Sequence, residues 1–123
     1  MTPTSKVAIG AARQYTQDLL GGACVENESS PSANTTVSVA VDGNGDRVGL
    51  LIVNLSANIV YIGLSSATSA SDGIELAGGG GLAAFNVRED FTLTSRRWYC
   101  IAPAGASQLY VLEINRVALL AGA

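Results

Sequence analysis

From Thr35 onward, the chain is a succession of short β-type runs separated by turn residues. In "TTVSVAV", Val37, Val39 and Val41 alternate with small or polar residues, which is the pattern of a half-buried strand. Further runs follow at a spacing of about 8–12 residues, typical of antiparallel sandwiches; they are "RVGLLIVNL", "NIVYIGL", "GIELA", "LAAFNV", the short segment "EDFTLTS", "RRWYCIAP" and "QLYVLEINRV". We therefore predict an all-β fold, an antiparallel β-sandwich or jelly-roll-like domain of about seven or eight strands over residues 35–123.

Residues 1–34 follow a different pattern. Apolar side chains recur there at roughly helical spacing, and Gly21-Gly22 would end such a helix; these side chains are Ala8, Ile9, Ala12, Tyr15, Leu19 and Leu20. The stretch "VENESSPSAN" is polar, contains Pro31 and has no periodicity, so it is interpreted as a linker. We predict an N-terminal arm or short helix plus a polar linker over residues 1–34, and the sequence leaves helix and extended arm open.

Three of the predicted strands are apolar on both faces. In "QLYVLEI", Leu109 and Val111 alternate with Tyr110, Leu112 and Ile114, and "VGLLIV" and "IVYIGL" behave alike. Antiparallel sheets commonly leave one face to water. The second face is covered by the chain's own N-terminal segment, by loops of the second sheet or by another subunit. Only 14% of the residues are charged, against about 25% in an average domain, which favours a homo-oligomer, a dimer or trimer.

The composition argues against several functional classes. The chain has no histidine, which removes the usual His-based catalytic and metal sites. Its seven basic residues are scattered and the net charge is −3, so we expect no nucleic-acid binding. No apolar run approaches the ~20 residues that span a bilayer, so we expect no membrane insertion. We predict that the protein is not an enzyme and carries no cofactor.

Several residues that could perform chemistry are better explained by structure. Cys100 lies mid-strand, where a small core thiol belongs, and we interpret it and Cys24 as free thiols, with a disulfide as the alternative. Glu75 and Glu113 alternate with apolar neighbours and are predicted to face solvent. "DGNGD" begins like a calcium loop, but Arg47 and Val53 occupy the places of the required Gly and Glu. We predict a hairpin turn there and no metal site.

The four glycines Gly78–Gly81 do not form a phosphate site. A P-loop needs a Lys and a Ser or Thr after the last glycine, whereas "LAAF" follows here. A dinucleotide fingerprint needs a following helix, whereas a strand is predicted. We interpret the run as a hairpin connection between "GIELA" and "LAAFNV", in which Gly supplies φ values that other residues avoid.

Residues 35–116 resemble a recurrent type of small tailed-phage virion protein. The resemblance lies in an ordered set: an R-x-x-L-x-I-x-N strand, a V-Y-I-G strand, an I-x-L-x-x-G-G turn and a late strand ending in V-L-E. In this chain the set falls on Arg47, Leu50, Ile52, Asn54, Val60 to Gly63, Ile74, Leu76, Gly79, Gly80 and Val111 to Glu113.

The resemblance implies a β-sandwich cement or decoration protein, made in the bacterial host cytoplasm and located on the capsid surface of the virion. Its partners would be the major capsid protein and further copies of itself, and it would bridge coat subunits. A neck, tail or baseplate component is the alternative, and a carbohydrate-binding attachment module is a more distant one. We predict interface positions at Tyr15, Leu19, Leu20, Arg96, Arg97 and Trp98.

Overall fold

The computed structural model describes residues 22–118, which form two antiparallel sheets. The first sheet has the order β1–β9–β4–β7, and β2 pairs with β9 beyond the end of β1. The second sheet has the order β3–β8–β5–β6. The strands are β1 (Gly22–Ser29), β2 (Ser32–Ala33), β3 (Ser38–Val41), β4 (Arg47–Asn54), β5 (Val60–Gly63), β6 (Ile74–Leu76), β7 (Leu82–Asn86), β8 (Trp98–Ile101) and β9 (Ser107–Ala118). The predicted all-β antiparallel sandwich is confirmed.

Most consecutive strands lie in opposite sheets, and the two strand orders are those of a jelly roll. The turns at "DGNGD" and at the four glycines are present, but each crosses from one sheet to the other: β3 to β4 and β6 to β7. The prediction that they are hairpins is therefore wrong. Alternation of apolar residues shows where strands lie, but it does not show which strands pair.

The predicted linker is also wrong for residues 25–34. Residues 22–29 pair along their whole length with β9, from Ala118 to Val111, and β2 continues beside Gln108 and Ser107. The segment is polar because β1 is an edge strand whose side chains are mostly exposed. The interpretation of residues 1–21 as helix or arm lies outside the described residues.

The core fills the space between the sheets with one inward residue in every two. In β4 and β9 the inward residues include Leu50, Ile52, Leu109 and Val111, each at most 3% exposed. From the second sheet come Val60, Ile62, Leu76, Trp98 and Cys100. Cys100 is fully buried, which confirms its prediction as a core thiol.

The segment between β7 and β8 is helical. A short helix α1 (Val87–Asp90) leads into a 3₁₀ helix, Phe91–Ser95. "EDFTLTS" is therefore not a β run. The Asn86 side chain accepts a hydrogen bond from the Glu89 amide at 3.0 Å, and the Asp90 carboxylate accepts one from the Asn86 amide at 2.8 Å. This reciprocal capping explains why the polar stretch turns into a helix.

Candidate interaction surface

The outer face of the first sheet is apolar across three strands. Register places Leu51 of β4 between Leu112 of β9 and Ala84 of β7. One pair further along, Val53 lies between Tyr110 and Leu82. With Ile114, these residues form what we call the outer face: Leu51, Val53, Leu82, Ala84, Tyr110, Leu112 and Ile114.

These side chains are accessible in the described structure. Leu82 is 58% exposed, Ala84 is exposed, and the members on β4 and β9 are half-buried. The predicted apolar second face of "VGLLIV" and "QLYVLEI" is therefore present and open to contact. Contiguous exposed apolar surface of this kind commonly marks an interaction site.

Acidic residues of β1 border the outer face. Glu28 lies opposite Leu112, and Glu26 lies opposite Ile114. The pKa of Tyr110 is raised, first by loss of solvation and then by the negative charge of Glu28, to which its hydroxyl hydrogen-bonds. The apolar surface therefore ends in a carboxylate border along one edge of the sheet.

A buried ion pair closes one end of the sandwich, which we call the Arg47 end. Arg47 is 2% exposed, and its Nε and one terminal nitrogen donate to Glu113 Oε1 at 2.8 and 2.6 Å. Its other donors reach the carbonyls of Thr94, Arg96 and Asp42. Because all five N–H groups are bonded within the chain, Arg47 has no donor left for a ligand.

Glu113 is also fully engaged, and the prediction that it faces solvent is wrong. It is 9% exposed, and its second oxygen accepts from Asn27 at 2.9 Å. A polar cleft of about 440 Å³ between β1 and β3 reaches this pair. The pair ties β4 to β9 and to the loops of both sheets, which is a structural role. Glu75, by contrast, is exposed as predicted.

The predicted interface residues of "RRWYC" separate into two groups. Arg96 and Arg97 are exposed, and Arg97 makes a weak surface pair with Asp42 at 3.5 Å. Trp98 is 2% exposed, stacks on Phe85 with ring centroids 4.8 Å apart, and donates through Nε1 to the Leu93 carbonyl. Trp98 therefore belongs to the core, and its prediction as an interface residue is wrong.

The other three predicted interface residues, Tyr15, Leu19 and Leu20, lie outside the described residues. The sequence interpretation missed Phe91, which is 72% exposed at the junction of α1 and the 3₁₀ helix. Its backbone has φ 51° and ψ −128°, a region that side chains other than Gly avoid and that costs about 1–3 kcal/mol. A lone aromatic in the polar stretch "REDFTLTS" was the available signal.

Phe91 is held from both sides. The capping hydrogen bonds of Asn86 and Asp90 fix α1 before it. After it, the carbonyls of Leu93 and Thr94 accept from Trp98 and Arg47 at 3.1 and 3.2 Å. The strained conformation thus presents the ring to solvent from an anchored loop.

The two cysteines are free and lie in different sheets. Burial raises the pKa of the Cys100 thiol, and its contact with Ser38 opposes that shift in part. Loss of solvation, followed by the nearby Glu26 carboxylate, raises the pKa of Cys24. Both thiols are therefore biased toward the unreactive protonated form.

Residues 22–118 contain no group of three or more His, Cys, Asp or Glu side chains placed to hold a metal ion. Within the same range, no helix has the length and hydropathy to cross a bilayer.

Comparisons with known proteins give distant likenesses. No protein-family model and no curated protein matches the chain. A protein of Bacillus endospore appendages, from a family of disulfide-linked pili, is 16% identical with a TM-score of 0.46, over 78% of this chain and 89% of its own.

Two dTDP-sugar 3,5-epimerases are also similar. That of Legionella pneumophila is 13% identical with a TM-score of 0.45, over 86% of this chain and 56% of its own. That of Bacillus anthracis is 8% identical with a TM-score of 0.42, over 87% and 62%. The chain thus spans less than two thirds of either epimerase. Because all three TM-scores are below 0.5, these likenesses say nothing about what the chain does.

Proposed function

We propose that this chain is a non-catalytic structural subunit that acts by covering and bridging other subunits. On the resemblance of residues 35–116, its setting is the virion of a tailed bacteriophage, as a cement or decoration protein on the capsid surface. Its partners are the major capsid protein and further copies of itself.

The outer face is the observation that carries this proposal. A sheet that remained in water would place polar side chains at Leu51, Val53, Leu82 and Leu112. Burial of apolar surface stabilises an interface by roughly 25 cal/mol per Å² before the costs of association. Many copies, each with a modest contact of this kind, would reinforce a shell.

The charged interior supports a non-catalytic role. A catalytic acid or base needs a donor or acceptor group that is free to exchange a proton with a substrate. Arg47 and Glu113 instead satisfy each other and neighbouring main-chain or amide groups. The residues that carry the virion resemblance also support a structural role, because Leu50, Ile52 and Asn54 face the interior and are at most 3% exposed.

Binding to coat shells tests the proposal. Purified protein is mixed with expanded shells of the major capsid protein of the phage that carries it, and bound copies are counted after sedimentation. We expect saturable binding, with Leu82→Asp weakening it by roughly tenfold or more, since a charge would enter the apolar contact. The matched control is Ile74→Asp, at an exposed strand position of the second sheet, where the side chain is 44% exposed.

Two results would contradict the proposal. A wild-type chain that fails to bind shells is not a cement protein, and equal loss of binding in both variants would remove the outer face from the contact. Copy number in purified particles addresses the neck or tail alternative, since hundreds of copies indicate the capsid and a dozen or fewer indicate the neck or tail.

A further inference from the structure

A groove interrupts the outer face near the Arg47 end. There Gly49 lies between Ile114 of β9 and Asn86 of β7, and it contributes no side chain. The resulting groove has a volume of about 450 Å³, and Leu51, Ala84 and Leu112 also line it. A Cβ on Gly49 would approach the Ile114 side chain to 3.2 Å, so the floor of the groove depends on glycine.

Phe91 has the properties of an anchor for such a groove. It is the most exposed large hydrophobic side chain among residues 22–118, and its loop is anchored on both sides. Aromatic anchors held in advance in their bound position lose little freedom on binding. In its own chain Phe91 is 72% exposed, so it does not fill its own groove.

We propose that Phe91 of one copy occupies the groove over Gly49 of a second copy. The inference rests on the proposed assembly role, because it names what covers one part of the outer face. Leu82, Val53 and Tyr110, further along the same face, remain available for the coat. Each chain carries one anchor and one groove, so the contact closes either as a two-fold dimer or as a ring.

Charge supports a second copy as the occupant. Arg88 and Arg96 flank Phe91, are exposed, and form no ion pair with another described residue. The groove is bordered by Glu26, which lies opposite Ile114. An apolar ring with basic neighbours thus faces an apolar groove with an acidic border. Glu89 and Asp90 on α1 offset the basic charge of Arg88 and Arg96, so the charged pairs orient the contact more than they strengthen it.

The test uses two full-length variants that each remove one half of the contact. Phe91→Ala removes the anchor, and Ala84→Glu places a charge in the groove at an exposed position. The matched controls are Leu55→Ala, an exposed apolar residue of the opposite end, and Val39→Glu, an exposed strand position of the second sheet. Folding of every variant is checked by thermal denaturation, and association is measured by sedimentation.

We expect the wild-type chain and both controls to self-associate. Phe91→Ala and Ala84→Glu should each weaken association by roughly 30-fold or more, as the loss of a central aromatic anchor does. An equimolar mixture of these two variants should form a 1:1 heterodimer, because one intact anchor and one intact groove remain. Charge reversal gives a second test of the contact. Arg88→Glu and Glu26→Arg should each weaken association, and the double variant should recover it.

Three results would overturn the inference. One is a wild-type chain that stays monomeric at every concentration; another is a mixture that forms no heterodimer. In the third, Leu19→Asp abolishes association while Phe91→Ala does not, which would assign the groove to the N-terminal segment. Shell binding distinguishes failure of this inference from failure of the proposed function. If the chain is monomeric but binds shells, only the self-contact is ruled out. If it is oligomeric but binds no shells, only the cement role is ruled out.

Discussion

The two ends of the sandwich use their loops in opposite ways. At the end formed by the four glycines, Asn54 is fully buried and donates to the carbonyls of Asn58, Leu76 and Ala77. The amides of Gly79 and Gly80 bond to the carbonyls of Ser56 and Asn54 in return. The polar groups at this end therefore bond to one another within the loops. The Arg47 end is equally closed inside, yet it holds Phe91 outward in a strained conformation.

The difference separates residues that build the fold from residues available for contact. Arg47 and Asn54, the first and last positions of the R-x-x-L-x-I-x-N pattern, anchor one end each. The conspicuous motifs of the chain therefore stabilise the fold, and the resemblance based on them is first of all a resemblance of fold. The proposed contact surface lies on outward strand positions and on one loop residue.

The largest effect is expected at the Arg47 end. Arg47→Met leaves the buried Glu113 carboxylate without its cation, and such a loss costs about 3–5 kcal/mol of folding free energy. Chemical denaturation measures it. Arg97→Met is the control, because its pair with Asp42 is exposed on both sides and such surface pairs contribute little to stability.

The double variant Arg47→Met, Glu113→Leu sharpens this result. Replacement of both charges by apolar side chains removes the unpaired carboxylate and should recover much of the lost stability. If Arg47→Met alone costs no more than Arg97→Met, the ion pair does not hold this end together.

At the glycine end, the four glycines should respond differently to substitution. A Cβ on Gly78 would lie 2.2 Å from the Ala57 carbonyl oxygen, and one on Gly81 would lie 2.4 Å from the Ala77 nitrogen. Gly79 and Gly80 have open space around them but adopt φ of 79° and 110°. Two glycines therefore serve close packing and two serve backbone conformation.

We expect Gly78→Ala to cost about 3 kcal/mol or more, since main-chain atoms must move. Gly79→Ala should cost about 1–2 kcal/mol, the penalty of a left-handed conformation for a residue with a Cβ. Asn tolerates that conformation, so Gly79→Asn should be milder than Gly79→Ala while Gly78→Asn remains severe. Thermal unfolding checks the order, and equal costs at both positions would contradict it.

The sequence was sufficient to predict the sandwich, because short β-type runs recur at a spacing of about 8–12 residues with turn residues between them. It was insufficient for the partners of each strand, since a jelly roll sends consecutive strands into opposite sheets and the turn residues look the same in both cases. β1 was missed because an edge strand with exposed side chains has the composition of a linker.

The candidate surface was predicted in part. The apolar second faces of β4 and β9 were visible as residues such as Leu51 and Leu112, which break the alternation of apolar and polar positions. Glu113 was misjudged because its partner, Arg47, is 66 positions away in the chain. Phe91 could not be ranked above Trp98, since exposure depends on how the loop between β7 and β8 folds.

The smallest expected effect separates the backbone strain at Phe91 from the contact that its ring is proposed to make. Phe91→Gly and Phe91→Ala both remove the ring, but only Gly adopts φ 51° and ψ −128° without penalty. After allowance for the greater freedom of Gly in the unfolded chain, Phe91→Gly should be more stable than Phe91→Ala by about 1 kcal/mol. Both variants should lose self-association equally. If the glycine variant is instead the less stable of the two, the backbone at this position is not strained. The exposure of the Phe91 ring at the Arg47 end would then depend on the ring itself rather than on the backbone.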